Sequence, residues 1–281
     1  MGMFDPITTD TIAQEVQKQI AYFDSNVNGM SSLLTFGLND GKYSKLYGLA
    51  GDISIGISGV CLAMAVIYTY LAIVKEGISL RGDWKKVVTI LLKLAITKGL
   101  IDTSTQFITW IYSFFAKISQ LVIQTTTNSS GGTLGSLLNT DDIARGLNVT
   151  NASGIIDRFV ALQYAKFLGF GFFILTIMIF IIGLARILKI YVMLAFGAVA
   201  FAKIPMYGME GCKEYIKEMC ALGLQGGIIM ATITMFQVAS LSIADIVDTT
   251  SSWGSLAGIF VLAISMILIL FKSEEIARKV V

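Results

Sequence analysis

The sequence predicts an all-α integral membrane protein, and three observations predict it. Of 281 residues, 55% are hydrophobic and only 14% are charged, against about 25% charged in an ordinary soluble domain. The charges are also unevenly spread: residues 53–74, 167–185, 219–244 and 249–271 form charge-free runs of 22, 19, 26 and 23 residues. A helix crosses a bilayer with about 20 mostly apolar residues, so each run qualifies on length. Third, the mean hydropathy is +0.74, too apolar for a disordered chain.

In full, the expected architecture is about five transmembrane helices, one short re-entrant or interfacial segment and an N-terminal amphipathic helix. Four regions follow along the chain. Residues 1–50 form an extracytoplasmic N-terminal region, 51–115 the first two transmembrane helices, and 116–158 an extracytoplasmic polar loop. Residues 159–281 form a C-terminal transmembrane bundle with the re-entrant segment and a short basic cytoplasmic tail.

Taken in order, Ile7–Phe23 places Ile12, Val16, Ile20 and Phe23 at helical spacing among Gln, Glu and Lys. That is an amphipathic helix, able to lie on a membrane, dock on a partner or pack on its own protein. Residues 1–50 lack a basic segment followed by an apolar one, so no cleaved signal peptide is expected. Ile53–Val74 is the first span. The second, Val87–Phe115, carries Lys93, Lys98 and Asp102. Lys98 and Asp102 are i,i+4 and so share a helix face, which Thr105 and Thr109 continue. A charge at mid-membrane costs roughly 2.5–3.5 kcal/mol on insertion scales. The expectation is therefore an ion pair on a polar stripe turned inward to protein or water, with Trp110 and Tyr112 at the interface.

The stretch 124–154, rich in Thr, Ser, Asn and Gly, reads as a loop. Phe167–Ala185 is the third span. Ile190–Ile204 has a charge-free core of only 13 residues and is followed by Pro205. Runs of 10–14 apolar residues are more often re-entrant, interfacial or buried than spanning. Gly197, Lys203 and Pro205 mark this segment. Ala221–Ala244 and Leu256–Phe271 are the last two spans, and Trp253 stands just ahead of the second.

Orientation follows from the basic residues, which concentrate on the cytoplasmic side. Lys75–Lys86 holds four, Arg186–Lys217 five and the tail after Phe271 three, together twelve of the 21. Five spans put all three groups inside, with the N-terminus outside and the C-terminus in the cytoplasm.

Motifs for chemistry are sparse. The chain has no histidine, and neither a zinc-protease, a nucleophile-elbow nor a phosphate-loop motif occurs. No cofactor or metal is expected. Cys61 lies in a span and reads as core, while Cys212 and Cys220 read as free thiols on the reducing side. Gly223 and Gly227, and again Gly254 and Gly258, form the GxxxG spacing that lets helices approach closely. Gln225 is an uncharged polar group within a span, suited to an interhelical hydrogen bond or a pore lining.

The C-terminal half then acquires a recognisable wording. A basic span end (ARILKIYV) leads to a small-residue segment closed by Pro205 and to a Gly-Met-Glu-Gly stretch. After it come Tyr215, Lys217 and the run Ala221, Leu222, Gly223, Leu224, Gln225, Gly226, and the last span ends FKSEEIARKVV. This resembles the TrbL-type polytopic inner-membrane subunits of conjugative type IV secretion systems, particularly those of Gram-positive mobile elements. The resemblance covers 50–281 in architecture and 185–281 in wording, and departs in its single Pro205 where relatives often carry a longer polar loop. It implies a non-enzymatic channel or scaffold subunit in the bacterial cytoplasmic membrane. It also implies homo-oligomers, contacts with cytoplasmic ATPases and with channel or pilus-like subunits, and passage of a DNA–protein or protein substrate. A small-solute transporter or channel is the alternative reading, and a membrane enzyme is a third.

Overall fold

The computed structural model describes residues 41–76, 84–129, 155–246 and 264–281, with single positions between 11 and 38 and residue 261. The chain is all-α, and among the described residues there is no strand. In order, the helices are α1 Ser44–Glu76, α2 Trp84–Asp102, α3 Ser104–Ser129, α4 Ile155–Phe201, α5 Ile204–Tyr207, α6 Glu210–Ile246 and α7 Ser273–Val280. Three of them are long and apolar enough to cross a membrane: Ser44–Lys75 of α1, Gly169–Phe201 of α4 and Glu210–Phe236 of α6. The charge-free runs 53–74, 167–185 and 219–244 fall inside these three helices. Of the fourth run, 264–271 is helical and 249–260 lies outside the described residues.

Several boundaries differ from the sequence expectation. The span expected over 87–115 lies in two helices that meet at Thr103. The backbone ladder persists on both sides, with Thr103 N–H donating to Gly99 O and Phe107 N–H to Thr103 O, both at 3.0 Å. The Thr103 hydroxyl also donates to Gly99 O at 2.7 Å. A Thr hydroxyl bonded to its i−4 carbonyl loosens a helix locally without ending it. The polar stretch expected to be loop from residue 124 is helical as far as Ser129. There Thr125 donates its hydroxyl back to Leu121 O at 2.9 Å, so the polar side chain serves the helix. Residues 130–154 lie outside the described ones.

The short segment at 190–204 is not a separate element. Residues 190–201 continue α4, which runs unbroken for 47 residues, about 70 Å at the helical rise. Nothing between Arg186 and Phe201 stops a helix: there is no proline, and Gly197 stands alone among Ala, Val, Leu and Phe. The stop comes at Ala202–Lys203. Pro205 then lies in the first turn of α5, where its missing N–H is not needed.

The residues group into two compact units. The first comprises Met1–Thr35, Gln120–Leu184 and Gly226–Ser273. In it the described positions of the N-terminal amphipathic segment are helical. Phe23, fully buried, stacks against Phe172 and Phe236 with ring centroids 5.2 and 6.5 Å away. At Phe23 the apolar face therefore packs on the protein itself; Ile12, Val16 and Ile20 lie outside the described residues. The second unit comprises Phe36–Ser119, Ala185–Gln225 and Glu274–Val281. Both units draw on separated stretches of chain.

Within the second unit α1 and α2 pack together, and a buried hydroxyl pair ties α1 to α3, Ser54 to Ser104 at 3.2 Å. Cys61 is buried on α1, as expected of core. Phe36 and Leu38 are buried too. Phe36 stacks near Tyr112 of α3 and Tyr191 of α4 at 6.0 and 6.1 Å, and the Tyr191 hydroxyl donates to Leu38 O at 2.9 Å.

Candidate functional site

The densest polar chemistry of the second unit lies where α4 and α6 run side by side. The two helices are antiparallel, and their contacts keep one register. Arg186 meets Leu222, Lys189 meets Glu218, and the Tyr215 hydroxyl donates to Met193 O. On α4 these residues are three or four positions apart, which puts them on one face.

At the top of this seam Arg186 is buried, with 2% of its surface exposed. Its Nε–H donates to Leu222 O at 3.0 Å and its Nη2 to the Tyr112 hydroxyl at 3.3 Å. One guanidinium thus joins α3, α4 and α6. A buried arginine is tolerated only when its donors are engaged, and hydrogen bonds from a charged donor contribute about 1.5–3 kcal/mol each. The next carbonyl along α6 is also drawn sideways: Ser119 of α3 donates its hydroxyl to Gly223 O at 2.7 Å. That approach needs a glycine. A Cβ at Gly223 would lie 2.6 Å from Phe115 Cβ and 3.4 Å from Tyr112 O, both close to the α3 backbone. Gly197 on α4 is similarly confined: a Cβ there would overlap Ile108 Cδ1 and lie 3.1 Å from the Tyr215 hydroxyl.

One turn from Arg186, four charged groups form a closed ring. Lys189 Nζ lies 2.8 Å from Glu218 and 2.5 Å from Glu274. Arg278 Nη2 lies 2.6 Å from Glu218 and 3.0 Å from Glu274. Each carboxylate touches both cations, and the ring fastens α7 to α4 and α6. Isolated exposed pairs contribute little, but a network of half-buried ones contributes more. The C-terminal stretch is therefore a docked helix, with Ser273 and Ala277 fully buried, where the sequence suggested a short basic tail. Its acidic half, Glu274 and Glu275, neutralises Arg278 and Lys279, the latter through a 2.8 Å pair to Glu275.

The expected site residues are distributed as follows. Gly223 and Gly197 stand at close helix approaches. Gln225 and Gly227 are buried on α6. Lys203 is exposed, Pro205 is buried in α5, and Gly254 and Gly258 lie outside the described residues. The expected stripe on the second span is exposed at Lys98 and Asp102 and half-buried at Thr105 and Thr109. Lys93 is half-buried as well, whereas Ile90, Thr97, Ile101, Ser104 and Ile108 face inward. Among the described residues no ion pair joins Lys98 to Asp102. Trp110 is exposed as expected, but Tyr112, expected at an interface, is fully buried beneath Arg186. The cause is the apolar ridge: burying Ile90, Ile101 and Ile108 fixes the rotation of α2 and α3, and Lys98 follows outward.

Read from the sequence alone, Arg186, Lys189, Glu218, Glu274 and Arg278 are boundary charges rather than partners. The spacing Arg186–Lys189 on one helix and Glu218–Leu222 on another is the signal that could have paired them. The comparisons with known proteins add no relative, for no protein-family model, curated protein or solved structure matches the chain.

Proposed function

We propose that this chain is a membrane-embedded scaffold subunit of a type IV secretion (conjugation) machine in the bacterial cytoplasmic membrane. The observation that carries the reading joins two others. The stretch that resembles TrbL-type subunits, 185–281, also holds five charged side chains that tie helices together. Arg186, Lys189, Glu218, Glu274 and Arg278 link α3, α4, α6 and α7. That suits a rigid frame on which other subunits assemble. In this reading five segments cross the bilayer, within 53–74, 87–115, 167–185, 221–244 and 256–271. The N-terminus is outside, twelve basic residues lie inside, and 190–201 continues the helix of the third span. The partners are further copies of the chain, cytoplasmic ATPases, and channel or pilus-like subunits that carry the DNA–protein or protein substrate.

The test is deletion of the gene in its own mobile element, with DNA transfer to recipient cells as the readout. Transfer is expected to fall to background and to return with a wild-type copy. Unimpaired transfer after deletion refutes the proposal. Flux of a small solute through the purified protein in liposomes supports the transporter reading in its place. Labelling of a cysteine placed in the C-terminal tail from outside intact cells contradicts the orientation.

A further inference from the structure

The outward face of α2 carries a pattern that its own protomer does not use. Ile90, Thr97 and Ile101 are buried against the protein, as is Ser104 at the start of α3. Val88, Leu92, Ala95, Gly99 and Asp102 stand on the other side and are all exposed. Their spacing is 4, 3, 4 and 3 residues, the heptad repeat of a helix that packs along another helix. The bulk of this face is apolar, with Val88, Leu91, Leu92 and Ile96 each at least half exposed.

Two charges interrupt it. Asp102 falls on the repeat, and Lys98 lies beside it next to Gly99. Among the described residues neither side chain makes an ion pair or a hydrogen bond. Their order accounts for the missing local pair, because a cation one turn ahead of an acid is the weaker arrangement on a helix. Charge left on an apolar helix calls for a partner outside the protomer.

The two charges are complementary to themselves. Copies inserted into one bilayer run in the same direction, so a two-fold axis along the membrane normal sets two α2 helices side by side and parallel. Lys98 of one copy then lies one turn, about 6 Å along the axis, from Asp102 of the other. The reverse pair forms by symmetry. Gly99 lies between Lys98 and Asp102, and nothing stands within 4 Å of a Cβ built there. Ala95 precedes it by one turn. The small residues permit close approach, and the charges choose the partner.

We propose that this face of α2 joins two copies of the chain as a parallel pair, with Lys98 of each copy bonded to Asp102 of the other. Lipid tails cover apolar residues, but they offer no acceptor to Lys98 and no donor to Asp102. A second copy supplies both from the same face. The pair provides the contact between copies in the secretion-machine reading, on which it rests for its bilayer setting. DNA transfer plays no part in its test, so the two stand or fall separately.

The full chain, labelled at its N-terminus with donor or acceptor dye, is placed in phosphatidylcholine vesicles over a range of protein-to-lipid ratios. Energy transfer between wild-type copies is expected to rise with that ratio to the plateau of a dimer. Lys98→Asp alone, or Asp102→Lys alone, is expected to weaken association about tenfold or more. Mixing the Lys98→Asp copy with the Asp102→Lys copy is expected to restore it, because each cation again faces an acid. Gly99→Leu is expected to abolish it. The unfolding midpoints of these variants in dilute detergent, where copies separate, are expected to stay close to wild type, which tells lost association from lost fold. Absence of energy transfer between wild-type copies overturns the proposal. So does transfer that survives the single reversals, the result if copies meet elsewhere, and so does a mixture no better than its components. Should a reversal variant fail to fold, Ala95→Cys replaces it. The three native cysteines are buried, so oxidation is expected to link two chains through position 95. Ile55→Cys, on the exposed face of α1, is expected not to link. Equal linking at the two positions, or linking at neither, overturns the proposal.

Discussion

Two regions of this protein carry charge within apolar helices, and they handle it in opposite ways. Along α2, Lys98 and Asp102 stand one turn apart, exposed, and do not pair with each other. Along the α4–α6 seam, Arg186, Lys189 and Glu218 find partners on other helices, 36, 85 and 60 positions away in the chain. The favourable local spacing produced no contact, and the charges without such spacing produced the most connected region of the second unit. The rotation of a helix is set by its largest apolar ridge, at about 25 cal/mol per Å² buried. An exposed i,i+4 ion pair contributes about 0.3–0.5 kcal/mol and follows that rotation.

The contrast breaks most sharply at glycine. Gly223 lies where α6 touches α3, with Phe115 Cβ and the Tyr112 backbone in the space a side chain would need. Those atoms belong to the core of α3 and cannot swing aside. Gly223→Leu is expected to destabilise by about 3 kcal/mol, the upper range for overpacking. The unfolding midpoint in detergent then falls by about 6–12 °C. Gly99 on α2 has nothing within 4 Å of its Cβ position. Gly99→Leu is expected to leave the midpoint unchanged or raise it slightly, since leucine favours helix by about 0.5–1 kcal/mol over glycine. Similar midpoints for the two variants would remove the basis for treating the seam as the rigid region.

The reach of the sequence follows the same division. Charge-free runs located α1, α4 and α6, because exclusion of charge from a long apolar helix is a property of each residue by itself. Gly223 was legible as a packing glycine because GxxxG spacing is also local. The extent of α4 was not: a 13-residue run between Lys189 and Lys203 looks like a separate element. Lysine is a good helix former, so Lys189 bounds a charge-free run without ending the helix, and a run between two lysines does not mark an element. The role of Arg186 was hidden for another reason. Its acceptors are a backbone carbonyl and a phenol, groups whose positions depend on tertiary packing. The C-terminal stretch read as a basic tail because a tally of Lys and Arg takes no account of Glu274 and Glu275 between them.

The ion ring gives the intermediate test. Glu218→Gln removes one contact to Lys189 and one to Arg278. At 28% side-chain exposure, the expected loss is about 1 kcal/mol at low salt. The loss is expected to shrink in molar salt, where the Debye length is about 3 Å. Because Glu274 touches the same two cations, Glu218→Gln and Glu274→Gln should not add. A double-mutant cycle is expected to show about 0.5 kcal/mol or more of coupling. Strict additivity would reduce the ring to independent surface pairs.

The smallest expected effect falls on the residues whose sequence pattern is most conspicuous. Lys98→Gln and Asp102→Asn, alone or together, are expected to change stability by less than about 0.5 kcal/mol, the range of exposed positions away from buried features. The measurement is the unfolding midpoint of the isolated protein, set beside DNA transfer by cells carrying the same variants. A large loss of stability would mean that the two side chains do meet in the protomer and that the rotation of α2 argued from Ile90, Thr97 and Ile101 is wrong. Unchanged stability with lost transfer would mean something different. Then the exposed pair meets a neighbour in the assembly, and a charge kept at an apolar surface, at roughly 2.5–3.5 kcal/mol if it lies at mid-membrane, has its compensation outside the chain.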